Sequence, residues 1–124
     1  MPNLEERQGR TAVIYWFITL GYMVTIFYLS SLRNLNLPSL PQNSDKVLHM
    51  LAYILLAFLF YHTFKKSGIR KYVFILAFLS ASIYGISDEI HQYYVPGREA
   101  AIGDLFADFF GAMIGCMGAS FMKS

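Results

Sequence analysis

The chain has 124 residues, enough for one domain, with 56% hydrophobic and 17% aromatic residues, only 15% charged residues and a mean hydropathy of +0.42. So apolar a short chain cannot cover itself with polar groups as a soluble domain must, and a lipid bilayer is its expected solvent. The formal charge of +2 sits in short segments between apolar runs without any DNA- or RNA-binding motif, so no nucleic acid is expected as a partner.

After a polar tail containing Arg7 and Arg10, residues 11–32 carry no charge and predict the first transmembrane helix. The preceding arginines also fit a secretory signal, but the apolar run is longer than a typical signal core and no A-x-A site follows, so the helix reads as retained. Residues 33–46, "RNLNLPSLPQNSDK", form a loop broken by Pro38 and Pro41. Its P-x-x-P spacing serves loop geometry rather than cytosolic adaptor binding, since the loop falls on the outer side, where it is also a candidate lid.

The second helix is expected over 45–64, with Ser44 or Asp45 as its N-cap, and Gly68 marks a tight turn before a third helix over 71–93. Pro96 and Gly97 break the chain ahead of a fourth helix over 100–122, apolar except for Asp104 and Asp108. The predicted fold is all-α, a single domain over 1–124 built as a polytopic four-transmembrane-helix bundle. With the N-terminus inside, the inner side carries Arg7, Arg10, Lys65, Lys66, Arg70, Lys71 and Lys123, and the outer side only Arg33, Lys46 and Arg98. The positive-inside rule then puts both termini in the cytoplasm of a multi-pass cell-membrane protein.

Helix four repeats small residues at every fourth position: Gly103, Ala107, Gly111, Gly115 and Ala119. In lipid, apolar surface gains nothing by meeting apolar surface, so such a stripe serves close backbone approach and dispersion. Packing within the chain is its first use; an oligomer through Gly111 and Gly115 is the second. Asp104 and Asp108 lie one residue beyond the stripe and should face protein. Cys116, the lone cysteine, cannot form an intramolecular disulfide and reads as a small packing residue.

Counting from the inner basic ends, His49 is 16 residues from Lys65, Asp88 is 17 from Lys71 and Asp108 is 15 from Lys123. At the rise of an α-helix these separations are about 24, 26 and 23 Å, so three helices lift polar groups to one level in the outer part of the bilayer. Residues four apart share a helix face, which aligns Asp45, His49 and Tyr53, aligns Asp88 with Gln92 beside His91, and aligns Asp104 with Asp108. Arg98, in the P-G-R turn, can reach down onto them. On the outer side Asp45, Asp88, Glu89, Glu99, Asp104 and Asp108 face only Lys46 and Arg98. Carboxylates in that excess near hydrocarbon hold a cation, share protons or stand in water.

The bland readings are that Asp45 and Glu99 are caps or solvated charges, His62 is interfacial, and the other ionisable groups tie helices together. Against them stands a polar pocket open to the extracytoplasmic side.

The segments "SDKVLHMLAYILLAFL" (44–59), "SDEIHQYYVPGREAAIGDLFAD" (87–108) and "GAMIG" (111–115) together resemble the VanZ-like family of bacterial membrane proteins, named for an accessory teicoplanin-resistance protein. The resemblance covers about residues 44–115 and implies a small helical bundle in the cell membrane. It carries the family's polar positions onto Asp45, Lys46, His49, Tyr53, Asp88, Glu89, Gln92, Arg98, Asp104 and Asp108, and implies a link to teicoplanin-type glycopeptide resistance. It supplies no chemistry.

Three functions follow. In the first, Lys46, Tyr53, Gln92 and Arg98 bind a membrane lipid or lipid-linked phosphate headgroup. In the second, Asp45, His49, Asp104 and Asp108 hold a divalent metal for hydrolysis or transfer on a lipid-linked phosphate or glycan, with His49, Asp88, Glu89 and His91 as the catalytic candidates. In the third, the carboxylates form a structural or proton-sharing network.

Overall fold

The computed structural model describes residues 3–31, 44–94 and 102–122. Those residues form helices α1 (Leu4–Ser31), α2 (Ser44–Lys66), α3 (Val73–Tyr93) and α4 (Ile102–Ser120), and no strand occurs among them. The all-helical expectation holds. Three helices contain stretches long and apolar enough to cross a membrane, Leu4–Tyr28, Val47–Lys66 and Val73–His91, while the apolar part of α4, Leu105–Ser120, is shorter.

Helix α1 begins seven residues before the uncharged run, at Leu4 rather than Thr11, because charge marks the end of a hydrocarbon span and not the end of a helix. Asn3 accepts from the Glu6 amide at 2.8 Å, and Glu5 and Glu6 place negative charge at the positive end of the helix dipole. Helix α2 likewise runs past Phe64 through Lys65 and Lys66, which suit its negative C-terminal end. It stops at Gly68, whose φ of 95° lets the amide of Ile69 reach the Phe64 carbonyl and that of Gly68 reach Lys65. The inner turn expected at this glycine is thus a Schellman cap. Tyr72, with φ 63°, redirects the chain into α3.

The contacts fix the directions of the helices. Trp16 meets Ser67, Thr19 meets Thr63 and Tyr22 meets Ala52, so α1 and α2 run antiparallel. His49 meets Asp108, while Gly111 and Gly115 lie beside Met50 and Ile54, so α2 and α4 run parallel. Their interface is the most extensive among the described helices. A Cβ added to Gly111 would come within 2.5 Å of the Met50 carbonyl oxygen, and one on Gly115 within 2.2 Å of that of Ile54. No larger residue fits at either place without a shift, and Gly111 and Gly115 pack on α2 in the same chain. Ala107, Ala112, Cys116 and Ala119 are buried along it. Cys116 is a free, buried thiol, as its packing role requires.

Helix α1 packs on α2 and α3 and has no contact with α4 among the described residues. Its outward side exposes Ile14, Phe17, Ile18, Val24 and Tyr28, an apolar surface suited to lipid chains. His62, expected at the interface, is nearly buried among Tyr15, Phe58 and Tyr61.

Candidate functional site

The polar residues gather at the end of the helices opposite the basic turn. His49 lies near the start of α2, Asp88 near the end of α3, and Asp108 near the start of α4. With α2 and α4 parallel and α3 reversed, a constant rise per residue puts all three at one level. Contacts bear this out for His49 and Asp108 and put Gly85, one turn before Asp88, beside them. His49 Nδ1 donates to Asp108 Oδ1 at 3.1 Å, and Gly85 on α3 sits so close that an added Cβ would lie 3.0 Å from Asp108 Oδ2 and 3.3 Å from the Tyr53 ring.

This junction is buried. Asp108 is 0% exposed, Tyr53 1% and Asp88 3%, and the His49 side chain is 11% exposed. Asp88, Asp108 and Glu89 all lie within electrostatic reach of the Tyr53 hydroxyl. That hydroxyl makes no hydrogen bond to a described residue, although it is buried. A phenol oxygen in that condition costs about 1–3 kcal/mol unless something polar meets it. The contact with Asp108 fixes the orientation of the His49 imidazole.

Helix α1 closes the flank with hydrogen bonds rather than with charge. The Tyr84 hydroxyl donates to the Met23 carbonyl, Tyr22 donates to Ala52 O at 2.8 Å, and the fully buried hydroxyls of Thr19 and Thr63 meet at 2.7 Å. Tyr84 also stands beside the site, its ring centroid 6.4 Å from that of Tyr53. His91 stacks on Phe27 of α1, with centroids 4.1 Å apart.

Of the candidate residues, His49, Tyr53, Asp88, Glu89 and Asp108 are brought together, and His91 is engaged with α1. Asp45, Lys46, Gln92 and Asp104 belong to the described helices, but their side chains lie outside the described residues, as do Arg98, Glu99 and the proline-containing loop. For the metal expectation, His49 and Asp108 are in contact, whereas no group of three or more His, Cys, Asp and Glu among the described residues is arranged to hold an ion. The other two expected ligands, Asp45 and Asp104, fall outside that description.

Sequence reasoning missed Gly85 and Tyr84. A glycine inside a helix costs about 1 kcal/mol relative to alanine and signals close approach, so Gly85, three residues before Asp88, carried a usable signal. Tyr84 carried none, because its role depends on the position of α1.

No curated protein and no solved structure matches the chain. A family model does, over residues 4–123, and its description is VanZ/LLP1. The match spans nearly the whole sequence, including helix α1 and both flanks of the polar junction, and extends well beyond the motifs at 44–115. With apolar helices of membrane-spanning length around a buried histidine–carboxylate pair, this chain belongs to the VanZ/LLP1 family of membrane-type proteins.

Proposed function

We propose that this protein is a single-domain, multi-pass protein of the cell membrane, with both termini cytoplasmic, whose polar junction faces the extracytoplasmic leaflet and binds the phosphate-bearing headgroup of an envelope lipid or lipid-linked precursor. A contribution to teicoplanin-type glycopeptide resistance then follows from altering what the antibiotic meets at the membrane surface.

The observation that carries this reading is the His49–Asp108 pair. Asp108 is fully buried and its partner His49 is partly exposed, so the imidazole is the member a ligand meets first. An imidazole oriented by a carboxylate is a hydrogen-bond donor suited to phosphate. Lys46 and Arg98, close in sequence to the ends of α2 and α3, supply the positive charge in this reading. Exposed apolar residues such as Val47, Leu48, Leu51, Ile86 and Ile90 continue toward that end and suit acyl chains.

The test is lipid extraction and mass spectrometry of protein purified gently from membranes, comparing the unaltered chain with His49→Gln and Arg98→Ala. A phospholipid or lipid-linked phosphate should copurify at a fixed ratio and be depleted at least several-fold in both variants. Equal lipid content in all three proteins sinks the reading.

The same pair favours a second reading. A histidine oriented by a buried carboxylate is the usual arrangement of a general base, which suits hydrolysis or transfer on a lipid-linked phosphate or glycan. Incubation with envelope lipids separates the two, because turnover that Asp108→Asn abolishes in a folded protein means an enzyme. Elemental analysis of the chain beside an Asp104→Asn/Asp108→Asn variant reports whether a divalent ion takes part.

A further inference from the structure

The turn between α2 and α3, at the end of the helices opposite the His49–Asp108 junction, concentrates charge that the junction does not use. Between Asp45 and Asp88 the chain has no acidic residue, yet Lys65, Lys66, Arg70 and Lys71 bracket Gly68 within seven residues. The turn has a fixed backbone, with φ 95° at Gly68 and φ 63° at Tyr72, a value uncommon for a bulky side chain. The carbonyls of Thr63, Phe64 and Lys65 accept from the amides of Ser67, Ile69 and Gly68, so backbone alone caps α2 and the basic side chains are not needed for it. Lys71 Nζ lies over the Tyr72 ring, 5.2 Å from its centre, a contact that positions the ammonium without neutralising it. Arg70, Lys71 and Tyr72 are all exposed. Glu5 and Glu6 lie ten or more residues before Trp16, where α1 meets the turn, so about 15 Å of helix separates them from it. Rings sit at the same level: Trp16 donates to Ser67 Oγ at 2.8 Å and meets Phe64 edge-on, as residues of an interfacial belt do.

We propose that this turn is a second lipid site, in which Arg70 and Lys71, with Lys66 across the turn, hold the phosphate of an anionic phospholipid of the phosphatidylglycerol or cardiolipin class. The guanidinium of Arg70 offers a planar fork that matches phosphate, and Lys71 adds a point charge. Exposed Ile75 and Leu76, at the start of α3, continue from the cations into the apolar span and suit the acyl chains. A phospholipid matches both the charge and that apolar continuation, whereas a free anion matches only the first. The site lies at the other end of the helices and does not depend on what the His49–Asp108 junction binds.

Trp16, the single tryptophan, is a reporter bonded to the turn itself. The full chain is reconstituted at low salt into phosphatidylcholine bilayers containing a fixed minor fraction of either brominated phosphatidylglycerol or brominated phosphatidylcholine, and quenching of Trp16 is compared. The anionic lipid should be enriched at the turn at least about threefold over the zwitterionic one, and added salt should reduce the preference. Arg70→Gln with Lys71→Gln should remove most of it, while Arg7→Gln with Arg10→Gln, which lowers the charge of α1 by the same amount, should leave it. His49→Gln should not change it. Equal quenching by the two lipids overturns the proposal and leaves the basic turn as a topological anchor alone. Equal losses in the two double variants overturn it as well, because the charge then acts diffusely and no site exists. If the Arg70→Gln/Lys71→Gln chain is not recovered, acetylating the lysines of the purified protein neutralises them after insertion, and an unchanged preference overturns the proposal there too.

Discussion

Helices α2, α3 and α4 are held differently from α1. In the three-helix unit the helices approach closely, through Gly111 and Gly115 against the α2 backbone and through Gly85 against the Asp108 and Tyr53 side chains, and buried ionisable groups are enclosed between them. Only 11% of the apolar stretch in α1 is buried, against 39% in α2 and 33% in α3, and α1 is fastened by hydroxyl and indole hydrogen bonds at Trp16, Thr19, Tyr22 and Met23. In lipid a helix cannot be held by hydrophobic exclusion from water, so it needs either close van der Waals approach or polar contacts. The chain uses the first where the site must be rigid and the second where a helix only flanks it.

That contrast predicts a graded set of effects. The largest should come from Gly115→Leu, whose side chain would enter the Ile54 carbonyl; a loss of more than about 3 kcal/mol is expected, enough to prevent recovery of folded protein on size-exclusion chromatography. If Gly115→Leu folds normally and only changes oligomeric state, the stripe serves another chain and the comparison breaks.

His49→Ala should come next, at about 3 kcal/mol, because it removes the imidazole from a fully buried carboxylate. Adding Asp108→Asn should restore most of that stability, and chemical unfolding of the single and double variants measures the recovery. Gly85→Ala should cost about 1–2 kcal/mol and shift Asp108, so lipid retention should fall together with the melting temperature.

The smallest effect belongs to α1. Thr19→Val removes one buried interhelical hydrogen bond and should cost about 0.6 kcal/mol without changing ligand binding. Thr19→Val with Thr63→Val should be closer to neutral than either change alone. A loss of ligand in Thr19→Val would mean that α1 helps to shape the site, and the distinction drawn here would need to be redrawn.

Helix rise is invariant, so counting from the basic ends brings His49 and Asp108 to one level, where they meet, and Gly85, one turn before Asp88, packs beside them. The i, i+4 rule likewise put Tyr53 on the His49 face, and both residues reach the junction. Placing Asp108 beside the small stripe predicted that it faces protein, and it is fully buried. Less legible were the helix limits, since Leu4 to Arg10 and Lys65 to Lys66 are charged yet helical. Interfacial water satisfies such side chains while the backbone keeps its own hydrogen bonds.

The sequence by itself determined the solvent, the all-helical class, the basic and acidic ends and the axial position of the polar residues, because these depend on transfer free energies and on the fixed geometry of a single helix. Only the tertiary structure decided that α2 receives the glycines of α4, that Asp108 pairs with His49, that Gly85 seals the junction, and that the Tyr53 hydroxyl is buried beside carboxylates without a hydrogen-bond partner among the described residues. Those facts depend on the rotation of each helix about its axis and on its choice of neighbours. Both are set by packing against residues far away in the chain, which no local pattern encodes.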